Sequence, residues 1–196
     1  MSRFPLPPGS TIGVLGGGQL GRMLALAAAR LGLNTVALDP SPDACAGPVA
    51  RLITGAQHAE KALKALAAAA DVVTFEFENV PASVVAALQA AHCEVAPGPL
   101  ALATAQDRVV EKTFLNASGA ATVAFAQIDK AADIGPALDL LGAPALLKTR
   151  REGYDGKGQT WVEGHGDAEA AFARLGGKPA ILEAAAPFVR EVSVIA

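Results

Sequence analysis

Between Thr11 and about Val95, short apolar runs alternate with alanine-rich stretches whose apolar residues recur at helical spacing. Thr11 to Leu15, Asn34 to Leu38, Val49 to Thr54 and Asp71 to Phe75 read as strands. Gln19 to Leu31 carries Leu20, Met23, Leu24, Ala27 and Leu31 at i, i+3, i+4 intervals, the spacing of an apolar helix face. Gly32 supplies its C-terminal stop. Ala59 to Ala70 and Pro81 to Ala91 read as further helices. Strands alternating with helices in this way predict a parallel sheet with right-handed crossovers.

Pro97-Gly98-Pro99 breaks that pattern, and a helix from about Ala101 to Ala117 follows, ended by Ser118-Gly119. From Thr122 the texture changes. Thr122 to Phe125, Ala143 to Lys148, Thr160 to Val162, Ala180 to Glu183 and Glu191 to Ile195 read as strands. Ile134 to Leu141 and Asp167 to Leu175 read as helices, the second with Asp167 as N-cap. The expected class is therefore α/β. A Rossmann-like parallel-sheet domain spans 1–98, a connecting helical segment 99–121, and an α+β unit 122–196. The last residues, Val192 to Ala196, are still strand-like, without a closing helix or polar tail. The chain is expected to be a C-terminally truncated piece of a longer protein.

Composition narrows the function classes. Hydrophobic residues make up 52% of the 196 positions, enough for a core, although much of this is alanine, which buries little area per residue. The net charge of −3 and the lack of a basic block argue against a nucleic-acid partner. No uninterrupted apolar run is long enough to span a membrane, and the N-terminal MSRFPLPPGS has no apolar signal core. Cys45 and Cys93 lack metal or redox spacing and read as buried free thiols of a reducing, cytoplasmic protein. His58, His92 and His165 are scattered and form no ligand pattern.

Several segments carry candidate chemistry. KTRREGYDGKGQ, Lys148 to Gln159, follows an apolar strand and sets Gly153, Gly156, Gly158, Asp155 and Lys157 within seven residues. Such a loop can turn tightly, approach a ligand and offer N–H groups and a mobile cation to an anion, or it can be a plain hairpin connection. Gly16-Gly17-Gly18-Gln19-Leu20-Gly21 follows one strand and opens a helix, with Asp39 18 residues beyond Gly21 at the end of the next strand. This satisfies the dinucleotide fingerprint, whose physical content is a helix N-terminus suited to a phosphate; a tight structural turn is the alternative. Glu76 and Glu78, two apart in TFEFENVP, point to one face if the segment is extended, and with Asn79 they suit hydroxyls or an amine. Arg108 and Lys112 share a helix face, which can equally be a charged surface partnered by Asp107 and Glu111. Glu183 to Ala186, at a strand end, can present backbone groups to an adenine edge, and Glu191 can hold ribose hydroxyls.

In this order the segments resemble the ATP-grasp ligases, and more narrowly the 5-(carboxyamino)imidazole ribonucleotide synthetase (PurK) family of purine biosynthesis. The resemblance rests on GGGQLGRML, TFEFENVP, AQDRVVEKTFL, KTRREGYDGKGQ and REVSVI, which together reach from near residue 11 to the end. The formate-dependent glycinamide ribonucleotide transformylase is the nearest rival; GYDGKGQ and EFENVP favour the carboxylating enzyme. An NAD-type dinucleotide-binding module is the rival from another class, and a non-catalytic assembly or regulatory remnant is a third reading.

The resemblance implies a pre-ATP-grasp domain followed by the first part of an ATP-grasp domain. It implies ATP contacts at Arg108, Lys148, Gly153, Tyr154, Asp155, Gly156, Lys157, Gly158, Gln159, Glu183, Ala184, Ala185, Ala186 and Glu191. Lys157 would lie over the phosphates, and Tyr154 and Asp155 near the imidazole amine, as the catalytic set. Aminoimidazole ribonucleotide would lie at Gly17, Gly18, Gln19, Leu20 and Glu76, with its phosphate at Gly17 to Gln19 and its ribose near Glu76. The implied reaction uses ATP, Mg2+ and bicarbonate, forms carboxyphosphate and carboxylates the exocyclic amine, in a homodimer. The family's magnesium ligands lie in a further C-terminal part, so none is expected here. As given, the chain is expected to lack turnover; a coupled assay for ADP release by the purified 196 residues checks this, and measurable synthetase activity would contradict it.

Overall fold

The computed structural model describes residues 5–153 and 156–194. It divides into two compact units, Met1–Ala103 and Thr104–Ala196, and the division falls inside the helical stretch 99–121. In the first unit, β1 (Thr11–Leu15), β2 (Asn34–Asp39), β3 (Arg51–Thr54), β4 (Val72–Phe75) and β5 (Glu94–Val95) form one sheet in the order β3-β2-β1-β4-β5. All its pairings are parallel. The short β5 is too brief to carry a periodic signal and was absent from the sequence pattern. The chain leaves β1 for β2 on one side and later returns to β4 on the other. The C-terminal ends of β1 and β4 therefore flank a switch point, where ligands collect in open α/β sheets.

Helices α2 (Glu60–Ala69) and α3 (Ala82–Ala90) contribute Leu63, Leu66, Val84, Val85 and Leu88 to one core with Leu15, Leu38 and Val73. Helix α1 (Gln19–Arg30) differs from its expected orientation. It buries Gly21, Ala25 and Ala28, while Leu20 and Leu31 are 55% and 70% exposed and Met23 and Leu24 are also exposed. The physical reason is closeness. A Cβ on Gly21 would stand 2.7 Å from the Gly16 carbonyl oxygen, so only small residues fit beneath this helix. Periodicity marks the large apolar residues and is blind to a helix that packs through its small ones. Cys45, expected to be buried, is exposed; Cys93 is buried.

The expected helix Ala101 to Ala117 is two helices, α4 (Pro99–Ala105) and α5 (Arg108–Ala117). The break is Asp107, whose backbone is extended (φ −135°, ψ 113°) and whose carboxylate accepts the Val109 and Val110 N–H groups. It is an N-cap inside an otherwise continuous helical pattern.

In the second unit β6 (Phe125–Ile128), β7 (Ala145–Thr149), β8 (Gln159–Val162) and β9 (Ala180–Ala184) form an antiparallel sheet in the order β6-β9-β7-β8. β6 lies three residues later than the expected Thr122 to Phe125, in register with β9 from Phe125 opposite Glu183. Helices α6 (Ile134–Leu141) and α7 (Ala168–Arg174) pack Ile134, Leu138 and Ala171 against Ala145, Leu147, Val162 and Leu182. Asp167 does not cap α7 by its own first turn. A 3-10 turn, His165–Asp167, precedes the helix, and the Asp167 carboxylate reaches back to the Glu163 and Gly164 N–H groups. The expected strand Glu191 to Ile195 is irregular and exposed over 191–194, and Ile195 lies outside the described residues. An apolar alternation becomes a strand only when a neighbour supplies a ladder.

The orientation of α1 makes a prediction opposite to its sequence pattern. Ala25, 1% exposed, should not tolerate enlargement: Ala25→Leu is expected to lower stability by about 1–3 kcal/mol through overpacking. Leu31→Ser should stay within about 0.5 kcal/mol of the parent. Urea unfolding of both variants measures the difference.

Candidate functional site

The two units carry separate clusters of candidate residues. In the first, β1 ends in Gly16, whose φ of +109° is a conformation that favours glycine. The chain then turns into α1. The Gly17 N–H donates to Asp39 Oδ2 and the Gly18 N–H to Glu76 Oε2, each at 2.8 Å. Asp39 also accepts the Ser41 N–H at 2.8 Å. Two carboxylates thus hold the N–H groups that a pyrophosphate would use, and Asp39, the residue a dinucleotide ribose would need, is engaged in shaping the turn. Residues 76–78 bend instead of running extended. Glu76 alone enters the turn, while the exposed Glu78 accepts the Asn79 amide at 3.1 Å. Gln19 and Leu20, at the start of α1, are exposed. A cavity of about 430 Å³ between Thr11, Asn34 and Arg51 lies at the opposite, N-terminal edge of the strands, away from the turn.

The second cluster stands on the face of the antiparallel sheet that α6 and α7 leave open. Side chains alternate along a strand. Leu147 and Leu182 enter the core under the helices, so Lys148 and Glu183 point the other way. Lys148 Nζ donates to Glu183 Oε2 at 2.8 Å, and Lys112 Nζ, from α5, lies 3.3 Å from Glu183 Oε1. Glu183 is only 5% exposed. A carboxylate that deep needs charged partners, and two lysines supply them. Lys112 shares its helix face with Arg108, as its spacing predicts, but its partner is Glu183 of a distant strand and not a neighbour on α5. Sequence alone favoured the surface reading because that partner is brought in only by the sheet.

Arg108 braces the glycine loop. Its guanidinium donates to the Thr149 carbonyl at 2.9 Å and to the Gly153 carbonyl at 2.6 Å. The loop joins β7 to β8 and is therefore a hairpin connection, closed at its base by Thr149 N–H to the Gly158 carbonyl at 2.8 Å. Gly158 has a φ of +71°, and a Cβ there would meet Thr149 Oγ1 at 2.8 Å. Arg108, Lys148, Lys157 and the loop glycines Gly153, Gly156 and Gly158 line a cavity of about 100 Å³, together with Gln159. Three cations around a pocket of that size suit one phosphate group. Tyr154 and Asp155 lie outside the described residues. Ala184 ends β9, Ala185 and Ala186 follow in exposed, irregular chain, and Glu191 lies in the exposed segment beyond them. Among the described residues no group of three or more His, Cys, Asp or Glu is able to hold a metal ion, and no helix is long and apolar enough to cross a membrane.

Asp107 is the second deeply buried acid, 3% exposed, and sequence reading gave it no role beyond a surface partner. Its two oxygens take a bidentate Arg150 contact, Nε at 3.1 Å and Nη2 at 2.8 Å. Burial pushes its carboxyl up, but the Arg150 hydrogen bonds and charge and the Val110 and Val109 N–H groups outweigh it and hold the group below its ordinary 3.8. The Arg108 N–H donates to the Arg150 carbonyl at 3.0 Å, so this pair also sets where α5 starts.

Comparison with known proteins covers nearly the whole chain. Residues 10–106 match the ribonucleotide synthetase preATP-grasp domain and residues 113–196 the ATP-grasp domain. An N5-carboxyaminoimidazole ribonucleotide synthase of Brucella melitensis is 50% identical over 100% of this chain and 55% of its own length. The crystal structure of the Staphylococcus aureus N5-carboxyaminoimidazole synthetase with ADP superposes with a TM-score of 0.84 at 38% identity, over 92% of this chain and 48% of that one. The Aspergillus clavatus synthase with ADP and 5-aminoimidazole ribonucleotide gives a TM-score of 0.81 at 28% identity, over 92% and 48%. The chain spans about half the length of the curated relatives it matches, 55% and 51% for the first two.

Because the folded carboxyl of Asp107 is depressed, its contribution is present above the unfolded value and lost as pH falls through the folded one. Acid unfolding should therefore weaken the parent below about pH 4. Asp107→Asn, which keeps the cap but not the charge, should flatten that part of the profile. Asp107→Ala should lose about 1 kcal/mol more, the cap itself. Unfolding free energies measured from pH 2 to 7 check both (a range set by the ordinary carboxylate value, about 4).

Proposed function

Since the chain belongs to the N5-carboxyaminoimidazole ribonucleotide synthase family of ATP-grasp proteins, we propose that it supplies the nucleotide-binding and part of the ribonucleotide-binding machinery of that ligase. The observation that carries the reading is the convergence of Arg108, Lys148 and Lys157 on the glycine-loop cavity beside the Lys112–Glu183–Lys148 cluster. A polyanion fits a place where cations outnumber acids and backbone N–H groups are close. Phosphoryl transfer needs charge neutralisation and positioning more than a protein nucleophile.

In this reading ATP lies over the open face of the second sheet. Lys148 and Arg108 hold its phosphates, Glu183 to Ala186 border its adenine, and Glu191 reaches its ribose. The loop from Gly153 to Gln159, with Tyr154, Asp155 and Lys157, closes over the phosphates and keeps water from the activated bicarbonate. 5-Aminoimidazole ribonucleotide binds at Gly17, Gly18, Gln19, Leu20 and Glu76. Bicarbonate takes the γ-phosphoryl group to give carboxyphosphate and ADP. The exocyclic amine then takes the carboxyl carbon with release of phosphate, directly or through carbon dioxide. Magnesium accompanies the nucleotide, and we assign it no ligand in these residues. The proposed division is 1–98 for the pre-ATP-grasp domain, 99–121 as connector and 122–196 for the ATP-grasp part. A cytoplasmic homodimer completes the proposal.

A polypeptide joining this chain to the second half of the Brucella melitensis relative tests the reading. ADP release that depends on both bicarbonate and 5-aminoimidazole ribonucleotide is expected. Lys148→Met in the same fusion should lower the rate by about 10²-fold. A folded fusion that turns over neither substrate, or that is stabilised against heat by NAD and not by ATP with magnesium, would sink it.

A further inference from the structure

The glycines of the first unit's turn are explained by what already fills it. A Cβ on Gly16 would stand 2.5 Å from Glu76 Oε2, and one on Gly18 would collide with Glu76 Oε1. A Cβ on Gly17 would meet Asp39 Cβ at 3.0 Å. The turn has the geometry of an anion site, glycine N–H groups at the start of a helix. Its anions are internal: Asp39 on Gly17 N–H and Glu76 on Gly18 N–H, both at 2.8 Å. Asp39 is also tied to the Ser41 N–H, whereas Glu76 comes from the bend after β4.

We propose that Glu76 is a specificity-determining residue that guards this turn against free oxyanions. The inference rests on the reading that the turn is part of the ribonucleotide site. A carboxylate tethered beside the Gly18 N–H acts at an effective concentration on the order of millimolar or above. Inorganic phosphate must displace it, and must also approach the Asp39 charge, with no further contact to offset either. A ribonucleotide brings sugar and base contacts that a bare oxyanion lacks. An unguarded glycine turn would instead fill with any phosphate at hand. Glu76 thus converts a general anion site into one that answers only to a ligand with more to offer than its charge.

Titration of the 196-residue chain with inorganic phosphate, read at the amide resonances of Gly16 to Leu20, tests this. Glu76→Gln keeps the shape and removes the charge. It is expected to bind phosphate about tenfold more tightly than the parent, with shifts centred on Gly17, Gly18 and Gln19. Glu76→Ala should change in the same direction, and the amide spectrum shows whether each variant is folded. Equal affinity in the parent and Glu76→Gln, phosphate binding in none of them, or shifts confined to other residues would overturn the proposal. Titration of the parent with 5-aminoimidazole ribonucleotide separates the two ideas. Failure of that ligand counts against the substrate reading, while the phosphate comparison alone decides the guard.

Discussion

Glu183 is the constraint around which the second unit is organised. A carboxylate taken out of water costs several kcal/mol unless charged partners meet it. On β9 this one meets Lys148 from β7 and Lys112 from α5. The partners matter most for α5. Every residue of that helix is at least partly exposed, and Val110, Phe114 and Leu115 face outward. It is held by polar contacts: Lys112 to Glu183 and the Asp107 cap gripped by Arg150. Removing either acid would weaken the hold on the helix that carries Arg108, whose own contacts to the Thr149, Arg150 and Gly153 carbonyls would remain.

The first unit meets the same problem with a different answer. Its carboxylates at the C-terminal edge of the parallel strands, Asp39 and Glu76, are met by backbone N–H groups instead of cations. The electrostatic results differ accordingly. In the second unit Lys112 and Lys148 flank the acid Glu183, and Arg108 and Lys157 line the cavity beside Lys148, an arrangement that attracts a polyanion. The glycine turn keeps two acids, an arrangement that accepts donors and resists bare anions. The proposed reaction, which would consume ATP and carboxylate an amine, would use both kinds of surface, one for phosphates and one for a hydroxyl-bearing, amine-bearing partner.

Most of the fold was legible because it follows from periodicity. The strands β1, β2 and β4 and the helices α2, α3 and α6 stand within a residue or two of their expected limits, where apolar spacing and Gly or Pro punctuation agree. The parallel sheet and the change to an α+β unit were legible for the same reason, while the antiparallel pairing of the second sheet came from the structure. Errors fell where a local pattern had two solutions. The stretch 101–117 has continuous helical character, yet Asp107 prefers to cap. Residues 122–125 and 125–128 both suit a strand, and pairing with β9 chose the second. Glu191 to Val194 alternates like a strand but lies unladdered among the described residues.

By itself the sequence determined which residue types lie at the strand ends and in the loops that follow them. The spacing of Gly16 to Gly21, the position of Lys148 at a strand end and the glycine-rich Gly153 to Gln159 are local properties, and local properties survive without a fold. Only the tertiary structure decided what those groups hold. Glu76 enters the glycine turn from 58 residues away and Lys148 meets Glu183 across 35. Lys112 likewise meets Glu183 on another element instead of a neighbour on its own helix. The inward face of α1 was decided the same way, by how near the Gly16 carbonyl lies. Buried carboxylates must find partners wherever the sheet brings them, and hydrophobic spacing along one element has no knowledge of which distant groups those will be.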